Sequence, residues 1–321
     1  MSQRIASIDI GTNTVRVLVV EVPGVSSQWR VLYQDQTITR LGEGLTKRGM
    51  FLSREAINRT ASAVSTYCRD AERLGAIEVL LVGTSAVREA NNRRDLLNRI
   101  GETTGRNVNV ITGEEEARFT FLGAYYGLGQ PRGRWLIMDI GGGSTEFIWA
   151  EGDAVHSAIS VRLGVVALTE AYIGADPIDW ADYARLTADV EGVLAREIPP
   201  AFFGREVRGM IGTAGTVTTL AALDQRLPLY QPDLVQGYRL HRHRIERLLV
   251  SLGVLSLNER TSLPCLEPGR ADVIVAGISI CLVTLKLFGR DTITVSDCGL
   301  REGVLIDHCL REPPQIRRTR C

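Results

Sequence analysis

Lysine is almost absent from this chain. Of 37 basic residues in 321, only Lys47 and Lys286 are lysines, and the remainder are arginines. Arginine suits forked contacts to phosphate oxygens. A genome-wide compositional bias also produces this excess, so only individually placed arginines carry weight. Net charge is missing too: 37 acidic residues balance the 37 basic ones. That balance argues against a protein that binds nucleic acid nonspecifically, which would carry a basic excess. The six cysteines form no C-x-x-C pair, and no histidine stands near them at zinc-site spacing. The longest apolar run, Val273–Leu285, has 13 residues, too few for a bilayer span of about 20. The N-terminus runs directly into a strand pattern without a basic-then-apolar leader. These absences predict a cytoplasmic protein with reduced thiols and neither a membrane nor a specific nucleic acid as partner.

What is present is ordinary for a globular chain: 45% hydrophobic and 23% charged residues. The length suits two domains of about 150 residues, each able to bury a core without disulfide or metal. Ile5–Asp9 and Val15–Glu21 read as a hairpin around a polar turn, with Val31–Thr39 as a third strand. Ser53 opens a helix in which Ile57, Ala61, Val64, Cys68 and Ala71 recur at helical spacing, and Gly75 ends it. Shorter elements follow: strand Val79–Val82, helix Arg94–Ile100, strand Val108–Ile111 and helix Glu114–Ala124.

The pattern then restarts. Trp135–Asp139 and Thr145–Ala150 are strands about a glycine turn, with His156–Arg162 as a third. Helices are expected at Ile178–Glu197, His241–Leu255, Arg270–Leu287 and Leu300–Leu310, with strands at Val207–Ile211 and Thr292–Ser296 and a frayed tail at Arg317–Cys321. Asp9-Ile10-Gly11 aligns with Asp139-Ile140-Gly141 at an offset of 130 residues, and Thr14 with Ser144. A period this long signals a duplicated domain, not a solenoid. The predicted boundaries are 1–125 and 126–321, with the last helix packing back on the first domain. Two glycine turns would then meet at one interdomain cleft, a favoured place for ligands.

A glycine turn after a strand lets backbone N–H groups converge on an anion. Gly11, Thr12, Asn13 and Thr14 form one such turn; Gly141, Gly142, Gly143, Ser144 and Thr145 form the other. Asp9 and Asp139 close the preceding strands and could hold Mg²⁺ beside bound phosphate. Neither turn is a Walker loop, and neither opens a helix as a dinucleotide fingerprint does. Glu114, Glu115 and Glu116 start a helix; either they complement its dipole or one of them takes a proton from an attacking water. Arg88 and Arg270 are each either a phosphate clamp or a surface ion pair. Gly212–Thr216 is a third glycine loop before a helix, weak on its own.

In this order the motifs resemble the Ppx/GppA family of exopolyphosphatases and guanosine pentaphosphate phosphohydrolases. The matching stretches are Ser7–Val15, Gly83–Asn91, Thr112–Arg118, Met138–Phe147, Gly212–Thr216, Arg270–Ile274 and Val295–Leu305. The resemblance implies an α/β fold of two ribonuclease-H-like domains, as in the actin/heat-shock-chaperone/sugar-kinase superfamily, facing a cleft. It implies that Glu116 is the catalytic glutamate, with Glu146 as a further catalytic acid. Asp139, Glu146 and Asp9 would attend Mg²⁺ or Mn²⁺, with a monovalent cation such as K⁺ as a further expected occupant. Arg88 and Arg270 would contact phosphate. The first turn reads Gly-Thr-Asn-Thr where the family often has Gly-Ser-Asn-Ser, which keeps both hydroxyls. The C-terminal helical extension of longer members, which helps grip long polyphosphate, is not expected here. The implied substrate is polyphosphate, with the stringent-response nucleotide guanosine pentaphosphate as the alternative. A phosphotransferase using ADP and a non-catalytic guanosine tetra- or pentaphosphate sensor are the rivals. A homodimer is compatible with all of these.

Overall fold

A computed structural model describes residues 2–23, 29–203 and 206–311. The tail Arg317–Cys321 lies outside them. The first half runs β1 (Gln3–Ile10), β2 (Thr14–Val22), β3 (Arg30–Ile38), α1 (Arg54–Arg73), β4 (Glu78–Gly83), α2 (Ser85–Glu89), α3 (Arg93–Thr104), β5 (Asn109–Val110) and α4 (Gly113–Gly127). The second runs β6 (Arg134–Ile140), β7 (Thr145–Glu151), β8 (Ala154–Val161), α5 (Val165–Tyr172), α6 (Trp180–Glu197), β9 (Gly209–Thr213), α7 (Ala214–Asp224), α8 (Pro232–Val235), β10 (Arg239–His241), α9 (Arg242–Gly253), α10 (Leu257–Thr261), α11 (Ile274–Leu287), β11 (Thr292–Val295) and α12 (Leu300–Arg311).

The strands form two sheets, ordered β3-β2-β1-β4-β5 and β8-β7-β6-β9-β11-β10. In each, an antiparallel three-strand meander joins a parallel strand at its first member: β1 to β4, and β6 to β9. This is the ribonuclease-H-like arrangement, present twice. The duplication extends to irregularities. The β2–β3 ladder slips at Val19/Val20, and the β7–β8 ladder slips at Trp149/Ala150, again 130 residues on. Bulges bend a strand and increase its local twist, so both meanders curl at equivalent points.

Local chemistry sets the helix starts. Ser53 caps α1 by accepting from the Ala56 N–H at 3.1 Å, and Asp179 caps α6 through the Ala181 N–H at 2.7 Å. Several short elements carry too little periodicity to read from sequence: α2, α5, α8, α10 and β10. Residue 270 begins no helix, contrary to expectation. Pro268–Arg270 is a single 3-10 turn, and α11 starts at Ile274. The strand expected at Val207–Ile211 is shifted to Gly209–Thr213, absorbing Gly212 and Thr213 of the expected third glycine loop, and α7 takes its other three residues.

Each sheet is covered on both faces. α1 and α3 pack on one face of the first sheet, around Ile8, Val17, Val64 and Leu96. Its other face, with Ile5, Leu18 and Val20, is covered by Leu305 of α12. α4 lies on the second sheet, with Ala117, Phe121 and Ala124 against Ile137, Ile148 and Ile211. α4 and α12 cross so closely that glycine is required. A Cβ on Gly123 would stand 1.9 Å from the Gly299 carbonyl oxygen, and one on Gly303 would stand 1.7 Å from that of Phe119. Arg118 of α4 pairs with Asp307 of α12 at 2.7 Å beside this crossing.

Gly303→Ala is therefore expected to lower unfolding free energy by roughly 1–3 kcal/mol, the usual cost of overpacking. Gly192, exposed in α6 with open space around its Cβ position, should behave in the opposite way: Gly192→Ala should raise stability by up to ~1 kcal/mol. Urea unfolding of both variants checks the contrast.

Candidate active site

The carboxyl ends of the two central strands, β1 and β6, face each other across a cleft of about 570 Å³. Both glycine turns close with the same bond. Gly11 N–H donates to Thr14 O at 3.0 Å, and Gly141 N–H donates to Ser144 O at 2.9 Å. The turns touch: Cβ atoms on Gly142 and Gly143 would fall 3.0 Å or less from Thr12 side-chain atoms. Their carbonyls are occupied from behind. Thr12 O accepts from Gly42 N–H and Asn13 O from Thr39 and Arg40, while Gly141 O and Gly142 O accept from Val165 and Val166 at the start of α5. No backbone carbonyl among the described residues takes the N–H groups of Thr12, Asn13, Gly142 or Gly143. Both turns thus bring N–H groups without a backbone acceptor to one cleft, as an anion nest requires. Thr12, Asn13, Thr14, Gly11, Gly141, Gly142, Gly143 and Ser144 line the cleft. Thr145 does not; its hydroxyl donates to Leu163 O at 2.6 Å and fixes the turn.

The glutamate run at the start of α4 divides its roles. Glu115 forms a capping box with Thr112: its N–H donates to the Thr112 hydroxyl at 3.1 Å, and its carboxylate accepts from the Thr112 N–H at 2.8 Å. Glu114 is exposed. Glu116 is buried and lines the cleft. One turn further along the same face, Thr120 donates to Asp139 at 3.0 Å. Gly113 lets α4 approach β8, because a Cβ there would lie 2.5 Å from Ser160. Ser160 in turn donates to Glu146 at 2.6 Å.

Asp9, Glu116, Asp139 and Glu146 all line this cleft and are all buried or half-buried. Burial lifts each above the ordinary carboxylate range. Asp9 rises to about 6, opposed by Arg16 and Arg301. Glu116 rises to about 7, opposed by Arg88. Asp139 is raised by burial against the hydrogen bond from Thr120. Glu146 is raised well above, by burial and then by the charges of Glu116 and Asp139.

The arginines are distributed less simply. Arg88 does not line the cleft; it donates to Glu116 at 2.8 Å and to Ile111 O at 3.1 Å. It therefore orients the glutamate from behind. Arg270 does line the cleft, but it donates to Glu267 at 2.8 Å and to Gln36 at 2.9 Å. Its guanidinium occupies the place a Gly215 side chain would fill. Two arginines that sequence reading passed over also line the cleft. Arg16 lies 3.9 Å from Asp9, and Arg301 bonds Glu302 at 3.2 Å and Val17 O at 3.2 Å. Arg16 was accessible from the hairpin register, which places it opposite Asp9 as Glu146 stands opposite Asp139.

Among the described residues, no three His, Cys, Asp or Glu side chains converge to enclose a metal ion. Mg²⁺, however, characteristically takes one or two carboxylates and completes its shell with phosphate oxygens and water. Asp9 Oδ1 is buried without a hydrogen-bond partner, as an oxygen reserved for a cation would be. The donor set therefore fits a divalent ion shared with substrate.

The pattern of the Ppx/GppA phosphatase family matches residues 18–312. The chain belongs to this family. It is 31% identical over 317 residues to Exopolyphosphatase 2 of Mycobacterium tuberculosis, covering 94% of this chain and 98% of that one. Among solved structures, the Aquifex aeolicus Ppx/GppA family member superposes with a TM-score of 0.80 at 33% identity, covering 97% and 99% of the two chains. An exopolyphosphatase from Cytophaga hutchinsonii gives 0.87 at 29% identity, with 95% and 97% covered. No helix among the described residues is long and apolar enough to cross a membrane, and Cys68, Cys265, Cys281, Cys298 and Cys309 are free thiols.

In this Ppx/GppA protein the raised carboxyls have a thermodynamic consequence. The folded state retains protons that the unfolded chain loses above pH ~4, so their contribution to stability is complete below that pH. It is lost as pH rises through the folded values, about 6 for Asp9 and about 7 for Glu116. In chelator, the melting temperature should fall between pH 5 and pH 8, and Asp139→Asn should flatten that fall. Thermal melts of both proteins across this range test it; a wild-type profile that rises with pH would contradict the burial account.

Proposed function

We propose that this phosphatase-family protein releases terminal orthophosphate from inorganic polyphosphate by water attack, with Glu116 as the general base. The observation that carries the reading is the placement of Glu116: buried, lifted to about 7, and in the same cleft as two unfilled N–H edges. A base is most effective when its pKa lies near the working pH. Binding alone would need no such group, so the arrangement disfavours a pure sensor.

In this reading the two glycine turns hold the terminal phosphoryl group, and their N–H dipoles act in a site already partly dry, where they count for more than in water. Arg88 keeps the Glu116 carboxylate aimed into the cleft. Glu116 accepts the proton of the attacking water, and the shortened chain departs as the leaving group. Thr120 and Ser160 hold Asp139 and Glu146 in fixed rotamers. Mg²⁺ or Mn²⁺ held by Asp9 and Asp139, with Glu146 nearby, would supply charge neutralisation on the phosphate oxygens. Arg16 and Arg270 stand where they can exchange a carboxylate partner for a phosphate oxygen.

Glu116→Gln should lose at least about 100-fold in kcat while its melting temperature stays close to wild type. Near-normal phosphate release by that variant would remove Glu116 from the base role. Release measured side by side on polyphosphate and on guanosine pentaphosphate decides the substrate, and ATP formation from polyphosphate plus ADP would instead reveal a phosphotransferase.

A further inference from the structure

A closed ring of hydrogen bonds joins the two halves of the chain in the lining of the cleft. Arg270 Nε donates to Glu267 Oε2 at 2.8 Å, Arg270 Nη2 donates to Gln36 Oε1 at 2.9 Å, and Gln36 Nε2 donates to Glu267 Oε1 at 2.5 Å. The partners settle which way the amide points, since a guanidinium only donates and a carboxylate only accepts. Gln36 belongs to β3, whereas Glu267 and Arg270 stand at the two ends of the 3-10 turn before α11. All three line the cleft.

The backbone brings these side chains together. Asp9, Arg16 and Gln36 stand directly opposite one another on β1, β2 and β3, so they share one face of the sheet. The 3-10 turn docks on the end of β3 because Gly269 has no side chain: a Cβ there would lie 2.7 Å from Ile38. The guanidinium itself lies against Gly215, where a Cβ would fall 1.3 Å from Arg270 Nη1. Arg270 is thus fixed on several sides, yet only one of its hydrogen bonds in the ring goes to a charged acceptor.

Gln36 occupies the second oxygen of Glu267. Were that oxygen free, Arg270 and Glu267 could close into the two-bond fork that arginine and carboxylate favour, which is stronger than a single bond. An arginine locked in such a fork gives up its partner to phosphate at a higher cost. Held by one carboxylate bond and one neutral amide, it exchanges more readily, because a bond to a charged phosphate oxygen is about twice as strong as one to an amide. We propose that Gln36 is a positioning residue: by taking the second oxygen of Glu267 it keeps the Arg270–Glu267 pair at a single bond and Arg270 available to substrate phosphate. This inference rests on the polyphosphate reading above, and its test includes a binding measurement that does not depend on turnover.

The experiment measures phosphate release from inorganic tripolyphosphate for wild type, Gln36→Ala, Glu267→Gln and the double variant. Titration calorimetry with tripolyphosphate repeats the series in a Glu116→Gln background. Gln36→Ala should raise KM about fivefold with kcat within about twofold, the pattern of an interaction made equally before and in the transition state. Glu267→Gln removes the carboxylate that would trap Arg270, so the double variant should return to within about twofold of the KM of Glu267→Gln alone. The calorimetric Kd should follow the same order. A bridge that merely ties the two halves together would behave otherwise, since the second substitution would break a further bond and deepen the loss. A double variant with KM equal to or above that of Gln36→Ala, or a Gln36→Ala effect confined to kcat, would overturn the inference. If no protein in the series releases phosphate but the Kd values show the rescue, the hydrolase reading fails and the role of Gln36 stands.

Discussion

Asp9, Glu116, Asp139 and Glu146 are drawn out of water into a single cleft, where burial and mutual repulsion oppose their ionisation. Much of the surrounding structure answers that constraint. Thr120 and Ser160 each donate a hydrogen bond to one of the carboxylates. Arg16 and Arg88 place positive charge beside two of them. Gly113 and the crossing of α4 with α12 let the helix that carries Glu116 come close enough to join the group. The arrangement costs stability at neutral pH, a common exchange at functional centres.

Duplication supplied two hairpins of the same geometry, and a difference at one position made them unequal. Arg16 stands opposite Asp9, whereas Glu146, its equivalent 130 residues later, stands opposite Asp139. One hairpin thereby acquires an internal ion pair and the other a pair of carboxyls that cannot both ionise cheaply. Both turns close with the same backbone bond, so the difference between them is electrostatic.

Much of this was legible in the sequence because it is local. The repeat, the glycine turns, the strands on either side of them and the caps of α1 and α4 depend on residues a few positions apart. Glu116 was singled out from its two neighbours only by the family resemblance, and the structure shows how they differ: Glu115 is consumed by the capping box with Thr112. What escaped was set by distance. Arg301 enters the cleft from the start of α12, and Thr120 reaches Asp139 across an interface that no periodicity announces. Arg88 read as a phosphate clamp or a surface ion pair, but its turn away from the cleft toward Glu116 depends on how α2 packs. The start of α11 was misplaced because apolar spacing runs continuously through a 3-10 turn.

Leu305 of α12 completes the outer face of the first sheet, against Ile5, Leu18 and Val20, and Arg301 reaches back to the Val17 carbonyl across 284 positions of sequence. During synthesis the first sheet can assemble early, but that face stays uncovered until the last described helix leaves the ribosome. An apolar sheet face left open for that interval is a hazard for nascent-chain association. Vectorial synthesis therefore delays completion of the first half until nearly all of the second has been made, and the two halves mature together.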